Sequence, residues 1–179
     1  MLIYTGRFQP VHNGHISLIQ KLRELYPEEV ICVAIIKNVP IESDNEFDKS
    51  VDSMMLEERN PYSAEVVLKM MTKVIKTRFP ENVVATLMPR ASVSNWSTIT
   101  ALFDCERIWA FTENQNTVDE WEKKKFDFYT QQGDKTIRVK IRKDIEGSKI
   151  RELLNKKDYD SLKRLVPAEI IEEIMAVQA

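Results

Sequence analysis

Apolar and polar positions along the chain change their period repeatedly, and each change marks an element. Leu2–Thr5 is a short apolar run that reads as a strand. Beyond it, Ile16, Ile19, Leu22 and the Leu25-Tyr26 pair recur at helical spacing. Val30–Ile36 is continuously apolar and β-branched, the pattern of a strand buried on both faces of a parallel sheet. Tyr62–Phe79 returns to helical spacing, with Val66, Val67, Met70, Met71, Val74 and Ile75 on the inward stripe. Val83–Met88 is a third strand, Asn95–Phe103 a short helix, Arg107–Phe111 a fourth strand and Val118–Gln132 a charged helix. Thr136–Ile141 alternates apolar and basic residues, as expected of a strand at or near a sheet edge. From Ser148 onward the pattern is helical, with a break at Pro167.

Strand and helix alternate, so the expected fold is α/β: an open, mostly parallel sheet with helices on both faces and a helical C-terminal tail over about 148–179. The 179 residues suit a single domain, 1–179, with a full core. In such sheets ligands bind beyond the carboxyl ends of the strands, where the strand order switches. One segment breaks the rhythm. Residues 38–61 carry seven acids (Glu42, Asp44, Glu46, Asp48, Asp52, Glu57 and Glu58) against Lys49 and Arg59. A connection this long is either a substrate lid or a solvated surface excursion, with Ser50–Arg59 able to form a short helix.

Composition narrows the function more than the fold. Twenty-six basic residues nearly balance twenty-eight acidic ones, for a net charge of −2, which gives no footprint for nucleic-acid binding. No apolar run reaches the ~18 residues of a membrane span, and the first residues read as a strand, not a secretion signal. Cys32 and Cys105 are too few for a disulfide framework or a thiolate zinc site. Both lie in or beside apolar runs, so buried free thiols in a reducing cytoplasm are expected.

The chemistry concentrates in the first turn. Strand one runs into Gly6-Arg7-Phe8-Gln9-Pro10-Val11-His12-Asn13-Gly14-His15. Gly6 permits a sharp turn and close approach of a ligand, Pro10 ends the ladder, and Asn13 is a good helix N-cap. His12 and His15 are the only two histidines of the chain. At a spacing of three they can share one face of the helix start, where free N–H groups and the helix dipole make an anion site. The bland alternative is a turn histidine and a half-buried helix histidine. A metal site built on this pair lacks a third ligand nearby, so no protein metal ligand set is expected. Ser148 and Arg151, at the start of a later helix, make a second arrangement suited to phosphate.

The string GRFQPVHNGH resembles the HxGH motif of the nucleotidylyltransferase superfamily, and its GRFQP lead-in resembles the archaeal-type nicotinamide mononucleotide adenylyltransferases. Further along, Asn60-Pro61-Tyr62-Ser63-Ala64 resembles that family's Asn-Pro-Phe-Thr-Ala element. Trp96 stands where the family has a tryptophan that stacks on the pyridine ring. Thr112-Glu113-Asn114 stands where it has a Ser-Gly-Asn turn near adenosine. Gly147-Ser148-Lys149-Ile150-Arg151 resembles the second phosphate motif, and Leu165-Val166-Pro167 with the last helix resembles the family's C-terminal end.

The resemblance implies a Rossmann-like sheet and a cytoplasmic enzyme that joins nicotinamide mononucleotide to the AMP part of ATP, giving NAD and pyrophosphate. It implies that His12, His15 and Arg151 act on the transferring phosphate. Gly6, Arg7, Phe8, Gly14, Asn114, Gly147, Ser148 and Ile150 would bind ATP, and Gln9 and Trp96 the acceptor. Mg²⁺ would arrive with ATP, held by phosphate oxygens and water, and a homo-oligomer is compatible with the resemblance. For Trp96 the alternative is plain packing; Trp109, inside an apolar strand, is core. Lys123-Lys124-Lys125 reads as a solvated helix face. The sequence also departs from the family. Glu65-Val66-Val67 replaces Gly-Glu-Arg after Ala64, removing an arginine for acceptor phosphate whose place Arg59 or Arg90 could take in space, and Glu146 replaces a small hydroxyl residue. The rivals are therefore transfer to another phosphorylated acceptor, use of CTP, or a nucleotide-binding module without catalysis.

Overall fold

A computed structural model describes residues 1–37, 39, 45, 60–113, 120–140 and 145–176. The acidic stretch, its possible short helix at Ser50–Arg59 and Asn114 lie outside these residues apart from isolated positions.

Five strands form one sheet: β1 (Leu2–Gly6), β2 (Ile31–Ile36), β3 (Val83–Met88), β4 (Ile108–Glu113) and β5 (Lys135–Lys140). Their order is β3-β2-β1-β4-β5 and every pairing is parallel. The first three strands therefore build outward in one direction, and the chain then crosses to the other side of β1. Helices α1 (Asn13–Leu25), α2 (Ala64–Arg78), α3 (Trp96–Leu102), α4 (Glu120–Gln131), α5 (Gly147–Asn155), α6 (Tyr159–Leu165) and α7 (Ile171–Ala176) complete the described elements, with a 3₁₀ turn at Ala168–Ile170.

Strand alternation divides the core in two. Leu2, Tyr4, Ile31, Val33 and Ile35 point to one face and pack with α1, α2 and the C-terminal helices. Ile3, Cys32 and Ala34 point to the other, where Ile99, Phe103, Trp109, Phe128 and Tyr129 from α3, β4 and α4 cover them. Helices thus lie on both faces, as the alternation requires. β5 is an edge strand; its basic residues Lys135, Arg138 and Lys140 are exposed, and Val139 is buried.

The tail is tied to α2 by more than apolar contact. Arg78 forms a two-pronged pair with Glu169 (2.7 and 2.8 Å), and Lys73 pairs with Glu173 at 2.8 Å. The Tyr62 hydroxyl donates to the Ile174 carbonyl at 3.0 Å. Two expectations need correction. α2 starts at Ala64, not Tyr62, because the Ser63 hydroxyl accepts the Val66 N–H and caps the helix there. Cys105 is exposed, because the turn after Phe103 carries it clear of the core, whereas Cys32 is buried as expected.

Candidate active site

The site follows from where two strands part. β1 and β4 are in register from Leu2↔Ile108 to Tyr4↔Ala110 and pair no further, whereas β1 stays paired with β2 out to Gly6↔Ile35. Beyond Tyr4 and Ala110 the sheet opens into a cavity of about 470 Å³. It lies at the switch in strand order, where open α/β sheets accept ligands. Tyr4 and Thr5 line it from β1, Ala110 to Thr112 from β4, His12 to His15 from α1 without Asn13, and Ile145 to Gly147 from the start of α5. Burial holds the Tyr4 phenol far above its ordinary pKa, so it stays neutral. The Thr5 hydroxyl oxygen is buried without a hydrogen-bond partner among the described residues, a polar group that a bound ligand would satisfy.

The histidines meet as their spacing predicts. The His12 and His15 rings stack at 3.6 Å between centroids and 23° between planes. The cap of α1 is His12, not Asn13: the His12 carbonyl accepts the His15 N–H at 2.9 Å, and Asn13 is the first helical residue. Asn13 instead donates from its amide to the Arg164 carbonyl at 3.2 Å, tying α1 to the tail. The His12 backbone N–H donates to Nδ1 of His15 at 3.2 Å. With Nδ1 accepting, a neutral His15 carries its proton on Nε2, so that nitrogen is a donor. Gly14 is required by closeness: a Cβ there would lie 3.0 Å from the His12 ring.

The lead-in residues hold the turn in shape. Phe8 adopts the left-handed backbone region, φ 53°, a conformation that costs an aromatic residue about 1–3 kcal/mol. Its buried ring, edge-on to Tyr4 at 5.2 Å and His15 at 4.9 Å, offsets that cost. A Cβ on Gly6 would strike the same ring at 3.1 Å. Phe8, expected against ATP, therefore supports the His pair from behind. The Gln9 side chain brackets the backbone of Tyr62, donating to its carbonyl at 2.7 Å and accepting its N–H at 3.1 Å. Arg7 reaches the Asn60 side-chain oxygen at 3.4 Å.

The second phosphate motif arrives opposite. α5 starts at Gly147 with Glu146 as its N-cap. Arg151, one turn on, donates to the Gln9 carbonyl at 2.6 Å and so binds α5 to the first turn. Gly147 is packed so closely that a Cβ would lie 3.0 Å from that carbonyl. Ser148 is exposed and its hydroxyl donates to the Glu146 carboxylate at 3.3 Å, while the Ile150 side chain is wholly buried in the core. Two helix N-termini, those of α1 and α5, thus face one cavity, and their partial positive charges add there. Lys125 of α4 also lines it. Within Lys123-Lys124-Lys125 nothing in the sequence sets that lysine apart from its two basic neighbours; only the packing of α4 against β5 selects it.

Trp96 is placed elsewhere. Its ring packs against Phe128 (5.3 Å), Tyr129 (5.8 Å) and Trp109 (6.1 Å), with the Arg107 guanidinium 6.0 Å from its centroid. Arg107 precedes β4 and pairs with Asp134, which precedes β5 (2.8 Å). Trp96 therefore belongs to the aromatic layer on one sheet face and does not line the cavity. Val67, at the position of the missing arginine, is wholly buried in the opposite core. Arg90, just beyond β3, is buried to 2% exposure, and its guanidinium donates to the Val39 carbonyl at 2.5 Å.

A family model described as cytidylyltransferase-like matches residues 3–153. By sequence, no curated protein gives a significant match. Among solved structures, the fold is similar to Plasmodium falciparum nicotinic acid mononucleotide adenylyltransferase complexed with NaAD, at a TM-score of 0.59 and 16% identity, covering 98% of this chain and 94% of that one. It is also similar to Thermotoga maritima TmcAL bound with alpha-thio ATP, at a TM-score of 0.58 and 11% identity, covering 98% of this chain and 55% of that one. No described helix is long and apolar enough to cross a membrane.

Proposed function

The chain belongs to the cytidylyltransferase-like family, and on that premise we propose that it is a nucleotidyltransferase that moves the adenylyl group of ATP onto the 5′-phosphate of nicotinamide mononucleotide. The observation that carries the transfer chemistry is the stacked His12–His15 pair at the N-terminus of α1, facing the N-terminus of α5 across the cavity between β1 and β4. The pyridine acceptor is supported by the GRFQPVHNGH string and by the NaAD bound to the Plasmodium protein of similar fold.

A phosphate oxygen of the mononucleotide attacks the α-phosphorus of ATP. A P–O bond forms, the α–β bridge bond breaks, and pyrophosphate leaves with its electron pair. The attacking phosphate has a second pKa near ~6 and is already ionised at neutral pH, so no general base is needed. What remains for the protein is to hold two polyanions in line and to stabilise charge on the transferring group. The His15 Nε2–H, the first N–H groups of α1 and α5, and Lys125 are the donors that line or face that space. His12, 6% exposed, sets the orientation of the His15 ring that it stacks on. Arg151 keeps α5 against the first turn through the Gln9 carbonyl.

No group of three or more acidic, histidine or cysteine side chains among the described residues is arranged to cage a cation. Glu146, the carboxylate that lines the cavity, is placed to meet a Mg²⁺ carried in on the triphosphate. When bound, the ion would neutralise charge on the departing pyrophosphate.

The placement of Trp96 in the aromatic layer favours a second reading, transfer to a phosphorylated acceptor without a pyridine ring. The experiment is pyrophosphate release from purified protein with Mg²⁺ and ATP, with and without nicotinamide mononucleotide, alongside NAD detection. Mononucleotide-dependent release with NAD formed is the expected result. Release only with other phosphorylated acceptors supports the second reading, and silence with every acceptor, with ATP or CTP, refutes both.

A further inference from the structure

We infer that the Thr5 hydroxyl reads a ribose hydroxyl of the bound triphosphate, so that the cavity between β1 and β4 selects ribonucleotides over deoxyribonucleotides. This inference rests on the proposed transfer reaction. The Thr5 hydroxyl oxygen is buried and has no hydrogen-bond partner among the described residues, and Thr5 lines the cavity. A buried hydroxyl left in that state destabilises the free protein, and a ligand that supplies the partner removes the penalty.

The strand pattern explains why a polar side chain stands there with room beside it. Ile3 and Thr5 point to the same face of β1. At Ile3 that face is filled, because its register partner in β4 is Trp109, which packs into the aromatic layer with Phe103 and Tyr129. At Thr5 the filling stops. Its partner in β2 is Ala34, with a one-carbon side chain, and β4 has left the ladder after Tyr4↔Ala110.

The rest of the cavity decides which part of a nucleotide meets this hydroxyl. Phosphates belong at the N-termini of α1 and α5, beside the histidines. The ribose is one ester bond from the α-phosphate, and the base lies beyond it. The sugar is therefore the part that must sit next to the phosphate position, at the ends of the strands. On the β1 side the cavity offers that part no charge: Thr5 is neutral, and burial keeps the Tyr4 phenol neutral. A hydroxyl both donates and accepts, as a sugar hydroxyl does, so the two groups can pair in either direction. A site built around such a bond discriminates against the analogue that lacks it, because its own buried group is then left unpaired.

The test is calorimetric binding of ATP, 2′-deoxyATP and 3′-deoxyATP with Mg²⁺ and no acceptor, to the wild type, Thr5→Val and Thr5→Ser. The wild type should bind ATP about tenfold more tightly than one of the two analogues, the scale of one hydrogen bond to a buried group. Thr5→Val keeps the shape and removes the hydroxyl. It should weaken ATP about tenfold, leave that analogue bound as in the wild type, and abolish the preference. It should also melt no lower than the wild type, since an unpartnered hydroxyl is gone and valine suits a strand. Thr5→Ser should keep the preference. Thr5→Ala, with the same expected loss of preference, keeps the test valid if Thr5→Val does not fold. A wild type that binds all three alike, or a Thr5→Val that still discriminates, overturns the inference and leaves the transfer reaction standing. A Thr5→Val effect on nicotinamide mononucleotide with none on ATP also overturns it, because the acceptor carries a ribose of its own. Discrimination without turnover of the mononucleotide supports the inference and refutes only the pyridine acceptor, and binding of neither ATP nor CTP overturns both.

Discussion

Replacing Gly14 by alanine separates catalysis from stability. Gly14 lies in the first turn of α1, where alanine is favoured over glycine by up to about 1 kcal/mol of helix propensity. The new Cβ, however, would sit 3.0 Å from Cε1 and Nδ1 of His12 and 3.5 Å from the Ile145 carbonyl. Carbon contacts relax at about 3.5–4.0 Å, so the His12 ring must move by about 0.5 Å. The His15 ring, stacked at 3.6 Å, moves with it or loses its support. A displacement of about 1 Å in a catalytic group can cost about 100-fold. Half of that displacement predicts about a tenfold fall in kcat, or about 1.4 kcal/mol of barrier. The assay is pyrophosphate release at saturating ATP and acceptor, beside a thermal melt of the same sample. The expected result is a Tm equal to or slightly above wild type with kcat down about tenfold. An unchanged kcat would refute the claim that the packed His pair is the transition-state contact.

The other expectations are tested more simply. His15→Ala should lower kcat at least about 100-fold with little change in ATP affinity, because its Nε2–H contact strengthens in the transition state; steady-state kinetics with a separate ATP titration decide it. Arg151→Ala should weaken ATP binding about tenfold, since α5 loses its 2.6 Å link to the Gln9 carbonyl; an unaltered ATP affinity would detach α5 from the site. Trp96→Ala should cost about 2–3 kcal/mol of stability in a denaturant melt while sparing the KM for the acceptor, because its contacts are Phe128, Tyr129 and Trp109; a raised KM with unchanged stability would reverse that assignment. Glu169 and Glu173 have carboxyl pKa values held below the ordinary 4.5, chiefly by hydrogen bonds from Arg78 and Lys73. Their contribution is present above pH 4.5 and is lost as pH falls through the lowered values, so Arg78→Gln should flatten the acid limb of a Tm-versus-pH curve.

The order of elements was readable because parallel strands must be apolar on both faces, and the run at Ile31–Ile36 has no polar residue to confuse it. Helix ends were read less well. The helix read as starting at Tyr62 is capped by Ser63, and His12 caps α1 where Asn13 was expected, since capping depends on backbone geometry as well as residue type. The His pair was legible because its residues are neighbours in sequence. The place of Lys125 and the link from Gln9 to Tyr62 were not legible, because each depends on which distant element lies opposite. Lys125 needs α4 to lie along β5, and Gln9 needs Tyr62. Trp96 stands in a polar stretch that reads as open to a ligand, and α3 packs its half-buried ring against the aromatic layer.

The links from the tail to the two N-terminal motifs have a consequence for how the protein is made. Asn13 waits for Arg164, 151 residues later, and Tyr62 waits for Ile174, 112 residues later. A chain emerging from the ribosome can pair β1 with β2 and bring His12 against His15 early. The walls that carry those residues are braced only once the last helices have been synthesised and have docked. Contacts of this span are slow to close. During translation the histidine turn is therefore present well before it is held, and the interval lasts for the synthesis of more than half the polypeptide.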